Sequence, residues 1–271
     1  MPELPEVETT RRGIAPALED RVIHEVVVRE RRLRWPVTVG LEARLRGQRV
    51  LGLHRRAKFL LLETAAGTAL MHLGMSGSMR IVEPGEQPEK HDHFDIVVKA
   101  GDVIRFNDPR RFGSLLWAGT SAEEHPLLAR LGPEPLGPDF SGAYLHGTAQ
   151  KRRVGIKQHI MNSHVVAGVG NIYANEALFR AGIHPARAAG RIALARMNTL
   201  AEEIRAVLDA AIRRGGTTLR DYRGGDGKPG YFRQELLVYE RDGKPCLRCG
   251  TLLTRTVQGQ RATYYCPACQ H

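Results

Sequence analysis

The sequence predicts an α+β chain of several domains: an antiparallel β part first, a helical part after it, and a small four-cysteine zinc module at the C-terminal end. Three observations carry this prediction. Apolar, β-branched runs dominate the first 130 residues. Beyond "LGPEPLGPDF" (131–140) the apolar spacing turns helical, and no cysteine precedes Cys246.

The elements follow in order. Leu4, Val7, Ile14 and Leu18 recur at helical spacing, with Arg11 interrupting their apolar face. β-rich runs come next: "RVIHEVVVRE" (21–30), "KFLLLET" (58–64), "TALMHLGMSGSMRIV" (68–82), "FDIVVKAGDVIRFND" (94–108) and "GSLLWAG" (113–119). Gly, Pro and Asp clusters separate several of them, which suits antiparallel sheets in a sandwich or a barrel. The Pro- and Gly-rich stretch 131–140 reads as a domain linker. A helix is expected from Asn171 to a stop at Gly182. A second places Leu194, Met197, Leu200, Ile204, Val207, Leu208 and Ala211 on one face before Gly215 and Gly216 end it. "GGTTLRDYRGGDGKPGYFRQ" (215–234) is a long polar connection of the kind that serves as a lid or a linker.

The C-terminal module carries two C-x2-C pairs, Cys246/Cys249 and Cys266/Cys269, with room for a hairpin between them. That spacing fits a tetrahedral zinc site of four thiolates. Two disulfides are the alternative, and they require an oxidising compartment that nothing else in the sequence suggests.

Lys and Arg total 40 against 29 Asp and Glu, a net charge of +11 over 271 residues. Such an excess favours a polyanion partner, nucleic acid ahead of an anionic membrane surface. No apolar run approaches the roughly 20 residues of a membrane span. The N-terminus lacks the basic and apolar regions of a signal peptide, so the expected compartment is the cytoplasm.

Against this basic background the chain opens "MPELPEVETT", with three glutamates and no base. Pro is small enough for the initiator Met to be removed, which frees a secondary amine on Pro2. An α-amino group titrates near about 8, against about 10.4 for lysine, so part of it is neutral and nucleophilic at physiological pH. Attack on a carbonyl-like carbon then gives an iminium. Glu3 and Glu6 lie beside it as candidate acids or bases. The alternative is an acidic, proline-led helix cap.

Further motifs each carry two readings. "GVGNIYANEALF" (168–179) leads glycines into Asn171 and a helix start, either a phosphate site or an ordinary cap. "FNDPRRFG" (106–113) sets Arg110, Arg111 and Phe112 at a turn, where Phe112 either enters a base stack or tucks under its loop. "HDHF" (91–94) places two His at i, i+2, for phosphate contact or plain surface rather than metal, because no third ligand is evident. Lys58 is either a solvated strand start or a catalytic amine.

Taken together and in order, "MPELPEVETTRRGI", "RRAKFLLLE", "HLGMSGS", "HDHFD", "DPRRFG", "VAGVGNIYANEALF", "GGTTLRDY", "DGKPGYF" and "RATYYCPACQ" closely resemble the formamidopyrimidine-DNA glycosylase family. The resemblance spans the whole chain. It implies an N-terminal β-sandwich (1–131), a helix–two-turns–helix domain (132–236) and a zinc finger (237–271) holding one structural zinc. It implies excision of oxidised purines from damaged double-stranded DNA, with strand cleavage, by a monomer that acts at no membrane. By that resemblance Pro2 attacks C1′, Glu3 transfers protons, Lys58 assists β-elimination and Arg261 δ-elimination. His91, Arg110, Arg153 and Asn171 hold phosphates or the opposite strand. Met75, Arg110 and Phe112 fill the gap left by the flipped base, and the 217–231 loop, with Thr217, Thr218, Lys228 and Tyr231, closes over it. The sister endonuclease VIII branch, which prefers oxidised pyrimidines, is the alternative, but Leu4 stands where that branch has glycine. A DNA-binding zinc-finger protein without catalysis is a second alternative.

Overall fold

The structure is a computed structural model that describes residues 2–99, 101–215 and 236–271. The chain divides into two compact units, one built on Met1–Ala129 and the other on Arg130–Arg213 with the segment ending at His271.

In the first unit, helix α1 (Leu4–Leu18) precedes β1 (Ile23–Val28), the short α2 (Leu41–Leu45), and β2 (Val50–Arg56), β3 (Phe59–Thr64), β4 (Gly67–His72), β5 (Ser78–Val82), β6 (Asp92–Val98), β7 (Val103–Asn107) and β8 (Ser114–Gly119). The strands form two four-stranded sheets, β1-β6-β7-β5 and β2-β3-β4-β8, with every pairing antiparallel. Period-2 alternation sets the inward faces, as where Leu60, Leu62 and Thr64 of β3 are buried between less buried neighbours. Phe94, Ile96, Ile104 and Phe106 of one sheet share a core with Leu53, Leu60, Leu62 and Leu115 of the other, and Val7, Ile14 and Leu18 of α1 join it. The sandwich, not the barrel, is therefore realised. Arg11, which breaks the apolar face of α1, is half-buried: its guanidinium reaches Glu8 at 2.9 Å and the Leu53 carbonyl at 3.2 Å.

Two continuous β runs of the sequence are each two strands. The 68–82 run breaks at 73–77, where Gly77 N–H closes a turn onto the Leu73 carbonyl at 2.9 Å, and β4 and β5 enter different sheets. The 94–108 run folds back as the β6–β7 hairpin, with Gly101 at φ +104°. Strand β2 escapes a sequence reading because Leu51 faces outward and a register shift falls between Val50 and Gly52.

The second unit holds α3 (Gly142–Ala149), α4 (Ile156–Met161), α5 (Asn171–Arg180), α6 (Leu194–Arg213) and the hairpin β9 (Thr254–Gln258)–β10 (Arg261–Tyr265). Helix α6 buries Met197, Leu200, Ile204, Val207, Leu208 and Ala211 of the expected face, but Leu194, in its first turn, is exposed. Helix α5 is buried from Ile172 to Phe179, including the polar Asn175 and Glu176. The front of the expected linker is fixed within this unit: Gly132 N–H bonds the Ser163 carbonyl at 2.8 Å, and the Pro133 carbonyl accepts from Ala167 at 3.0 Å.

Candidate active site and nucleic-acid surface

The N-terminus satisfies its helix and keeps Pro2 outside it. Glu3 is the N-cap of α1 in extended conformation, and Pro5 occupies the first turn. Glu3 N–H donates to Glu6 Oε2 at 2.8 Å, while the Glu6 N–H bonds the Glu3 side chain, a reciprocal capping box. The side chains of both Glu3 and Glu6 thus take part in the cap. Pro2 is buried and Glu3 is 2% exposed. The capping reading is realised with Pro5, and Pro2 precedes the N-cap.

Lys58 sits in the two-residue turn of the β2–β3 hairpin, after Ala57 at φ +52°. Arg55 ties this hairpin to α1: its Nε donates to Glu8 Oε2 at 3.2 Å and its Nη1 to the Ala57 carbonyl at 2.9 Å. Burial raises the Glu8 carboxyl, but the surrounding Arg11, Arg12 and Arg55 outweigh it and hold the group below the usual carboxylate range. His72, the cross-strand partner of Phe59, packs its ring 4.8 Å from the Phe59 ring. Its Nδ1 accepts the Gly74 N–H at 2.8 Å. Burial, then the nearby charges of Lys58 and Arg34, hold this imidazole down to about 4. A neutral imidazole therefore stands beside Lys58 at neutral pH.

Met75 lies in the 73–77 turn and is partly buried. Phe112 is 37% exposed, among the largest exposed apolar side chains, with the Arg110 guanidinium 4.8 Å over its ring. It does not tuck under its loop. The two loops touch through backbone: a Cβ on Gly74, which has φ +69°, would stand 2.4 Å from the Phe112 carbonyl carbon. Only glycine fits that approach. The two His of "HDHF" do not share a strand face, because β6 starts at Asp92 and His91 lies in the preceding turn at φ +75°. His91 is partly exposed, whereas His93 is buried and donates Nε2–H to the Asp108 carbonyl at 2.7 Å.

In the second unit Arg153 is exposed, and with Lys151, Arg152 and Arg191 it lines a cavity of about 380 Å³. Asn171 opens α5 and donates its amide to the Ala262 carbonyl at 3.0 Å. Arg261, exposed at the start of β10, is the neighbour of Ala262. Sequence reasoning missed Lys157. It is 1% exposed and its ammonium bonds the Ala262 carbonyl at 2.9 Å and Thr263 Oγ1 at 2.7 Å. It also missed Glu176, whose carboxylate accepts the N–H groups of Leu237, Val238 and Tyr239, each at 2.9 Å. Thr217, Thr218, Lys228 and Tyr231 of the expected lesion loop lie outside the described residues.

The four cysteines converge. Their Sγ atoms all lie within 4.8 Å of one another. A tetrahedron with Zn–S near 2.3 Å has edges of about 3.8 Å. Between sulfurs, Cys246–Cys269 is 4.0 Å, Cys249–Cys266 3.5 Å and Cys249–Cys269 3.4 Å, far beyond the roughly 2.05 Å of a disulfide. The thiols are free, and they are arranged to bind one metal ion, as a structural zinc finger requires. Gln270 supports the knuckle by accepting Cys266 N–H and donating to the Ile183 carbonyl, both at 2.9 Å.

A β-sandwich unit led by a capped proline terminus, and a helical unit ending in a four-cysteine finger, define a modular zinc-finger protein. Family models match in three places: the formamidopyrimidine-DNA glycosylase N-terminal domain over residues 1–115, its H2TH domain over 131–223, and the zinc finger found in FPG and IleRS over 243–271. The formamidopyrimidine-DNA glycosylases of Methylococcus capsulatus and Pseudomonas aeruginosa are 59% and 56% identical, each alignment covering 100% of both chains. The MutM (Fpg) crystal structure from Thermus thermophilus is 38% identical with a TM-score of 0.89, covering 99% of this chain and 98% of that one. The Lactococcus lactis Fpg complex with abasic-site DNA is 31% identical with a TM-score of 0.92, covering 100% of both. The chain belongs to the formamidopyrimidine-DNA glycosylase family. Among the described residues no helix is long and apolar enough to cross a membrane.

Proposed function

We propose that this chain is a bifunctional DNA glycosylase and abasic-site lyase that excises oxidised purines, 8-oxoguanine and formamidopyrimidines, from damaged duplex DNA in base excision repair. The observation that carries the reading is the terminus itself: a Glu3–Glu6 capping box that sets buried Pro2 and Glu3 directly ahead of α1, in a chain that matches these glycosylases end to end. With Met1 removed, the Pro2 amine attacks C1′ of the everted nucleotide. The glycosidic bond breaks, its electron pair and a proton leaving with the base, and an iminium joins Pro2 to the opened sugar. Glu3 moves protons at the sugar. Loss of a C2′ proton expels the 3′ phosphate, with Lys58 assisting, and δ-elimination assisted by Arg261 expels the 5′ phosphate. Hydrolysis of the Schiff base then frees the amine.

A stacked base is unreachable, so the nucleotide must first be flipped. Phe112, Met75 and Arg110 supply the wedge and plug. His91, Arg110, Arg153 and Asn171 hold phosphates or the opposite strand, and the 217–231 loop reads the base. Cys246, Cys249, Cys266 and Cys269 hold zinc, which folds the finger and so positions Arg261. The chain acts as a monomer in the cytoplasm, on the chromosome.

Borohydride trapping on an 8-oxoguanine duplex tests this. The expected result is a covalent adduct that Pro2→Gly abolishes while DNA binding persists. Full activity in a form that retains Met1 would sink the assignment. Faster excision of thymine glycol than of 8-oxoguanine would move the chain to the pyrimidine branch.

A further inference from the structure

Asp108 is fully buried and lies beneath the loop that carries Arg110 and Phe112. Its carboxylate is shared between two loops. Oδ1 accepts the Ser76 hydroxyl at 2.7 Å and the Arg110 N–H at 3.3 Å, and Oδ2 accepts the Gly113 N–H at 2.7 Å. Its main chain reaches a third segment. Asp108 N–H bonds the His91 carbonyl at 3.0 Å, and its own carbonyl accepts from His93. One residue thus joins the segments that carry Met75, His91, Arg110 and Phe112. Two further contacts leave little slack. Gly74 abuts the Phe112 backbone, and a Cβ on Gly113 would lie 2.5 Å from the Phe106 ring and 2.8 Å from the His72 carbonyl.

A wedge works only if its backing does not yield. Parting two stacked bases costs a few kcal/mol per step. A loop held by water-exposed hydrogen bonds would bend before the stack opened. Here the restraint is a buried carboxylate accepting neutral donors, the stronger kind of hydrogen bond. We propose that Asp108 and Ser76 are positioning residues that lock the Met75 turn and the Arg110–Phe112 loop into one rigid wedge, so that opening the stack and filling the gap occur as one movement. This rests on the glycosylase reading above and adds to it two residues that act through the loops they hold.

The test uses the full chain and a duplex with 2-aminopurine beside 8-oxoguanine, whose fluorescence rises on unstacking. Asp108→Asn converts one acceptor to a donor and is the direct probe. Ser76→Ala removes a single hydroxyl and keeps the test open where Asp108→Asn does not fold. Ser76→Ala should slow the fluorescence rise and excision together by about fivefold or more, the scale of one hydrogen bond to a charged acceptor. Ser76→Thr, which keeps the hydroxyl, should recover most of the rate. Cleavage of a preformed abasic site in single-stranded DNA, which has no stack to open, should stay within about twofold of the unmodified chain. An unchanged fluorescence rise in Ser76→Ala overturns the proposal, and so does an equal loss on the single-stranded substrate. If the unmodified chain forms no borohydride adduct, the glycosylase reading fails and takes this inference with it.

Discussion

Asn171 and Ala262 are joined by a single side-chain amide, at 3.0 Å, and that bond ends one residue from Arg261. The helix start of α5 therefore helps fix where the β9–β10 hairpin presents its arginine. Asn171→Ala should leave the hairpin held by Lys157 and by the Asn175–Tyr264 bond at 2.8 Å, so the protein should fold. The expected change is in products: a larger share of strands stopping after β-elimination, read from end groups on a denaturing gel. An unchanged product ratio would mean Asn171 serves binding alone.

Glu176 anchors the finger to α5 by three backbone hydrogen bonds. Burial pushes its carboxyl up, against the pull of those N–H groups. Glu176→Ala leaves three donors without an acceptor, at about 1–3 kcal/mol for each that stays buried. The measurement is zinc release to a colorimetric chelator, which should run at least about tenfold faster than in the unmodified chain. Cys249→Ser should lose zinc and DNA binding together, by elemental analysis and a binding assay.

Acid should loosen the β1-β6-β7-β5 sheet. Burial raises the Asp92 and Asp95 carboxyls, but hydrogen bonds from Arg80 and Asn107 to Asp92, and from Arg29 and Arg105 to Asp95, leave both lowered. A depressed folded value means stability is fully present above the unfolded value, here 3.8, and is lost as pH falls through the folded ones. In thermal melts the stability gap between the unmodified chain and Asp95→Asn should be constant above about pH 4 and close as pH falls below it.

His72 should remain neutral where an ordinary histidine is charged. The imidazole is held down to about 4 by burial, Lys58 and Arg34. Between an unfolded value near about 6.5 and that folded value, only the unfolded chain takes up the proton, so stability is lost as the solution is acidified across this window. Nitrogen-15 shifts of the ring should show a midpoint near 4. A midpoint at the ordinary value would show that the ring is solvated and apart from Lys58.

What could be read from the sequence depended on distance along the chain. The cysteine pairs carry their chemistry in local spacing, and α6 carries its face in its own periodicity, so both were legible. So was the start of α5 at Asn171, where glycines run directly into a helical stretch. Lys157, Glu176 and Asp108 were not. Lys157 and Glu176 find their partners in the C-terminal segment, and Asp108 meets Ser76 and His91 on separate loops, so no local pattern marks them. The break between β4 and β5 was hidden for another reason. Both flanks are apolar, and the turn between them is made by two glycines whose need appears only in the fold: Gly74 against the Phe112 backbone, and Gly77 against the Leu73 carbonyl and the Phe106 ring.

Those glycines also have a genetic consequence. Every missense change in a glycine codon adds at least a Cβ. At Gly74, Gly77 and Gly113 that atom would come within 2.1–2.5 Å of backbone or of the Phe106 ring. In a library of single-nucleotide changes scored for protection against an oxidative mutator load, these codons should tolerate synonymous substitutions and little else. Gly147, which has open space around it and no positive φ, should accept small residues. The wedge would then be a segment where the gene has almost no room to drift, although its three glycines carry no side chain to touch DNA.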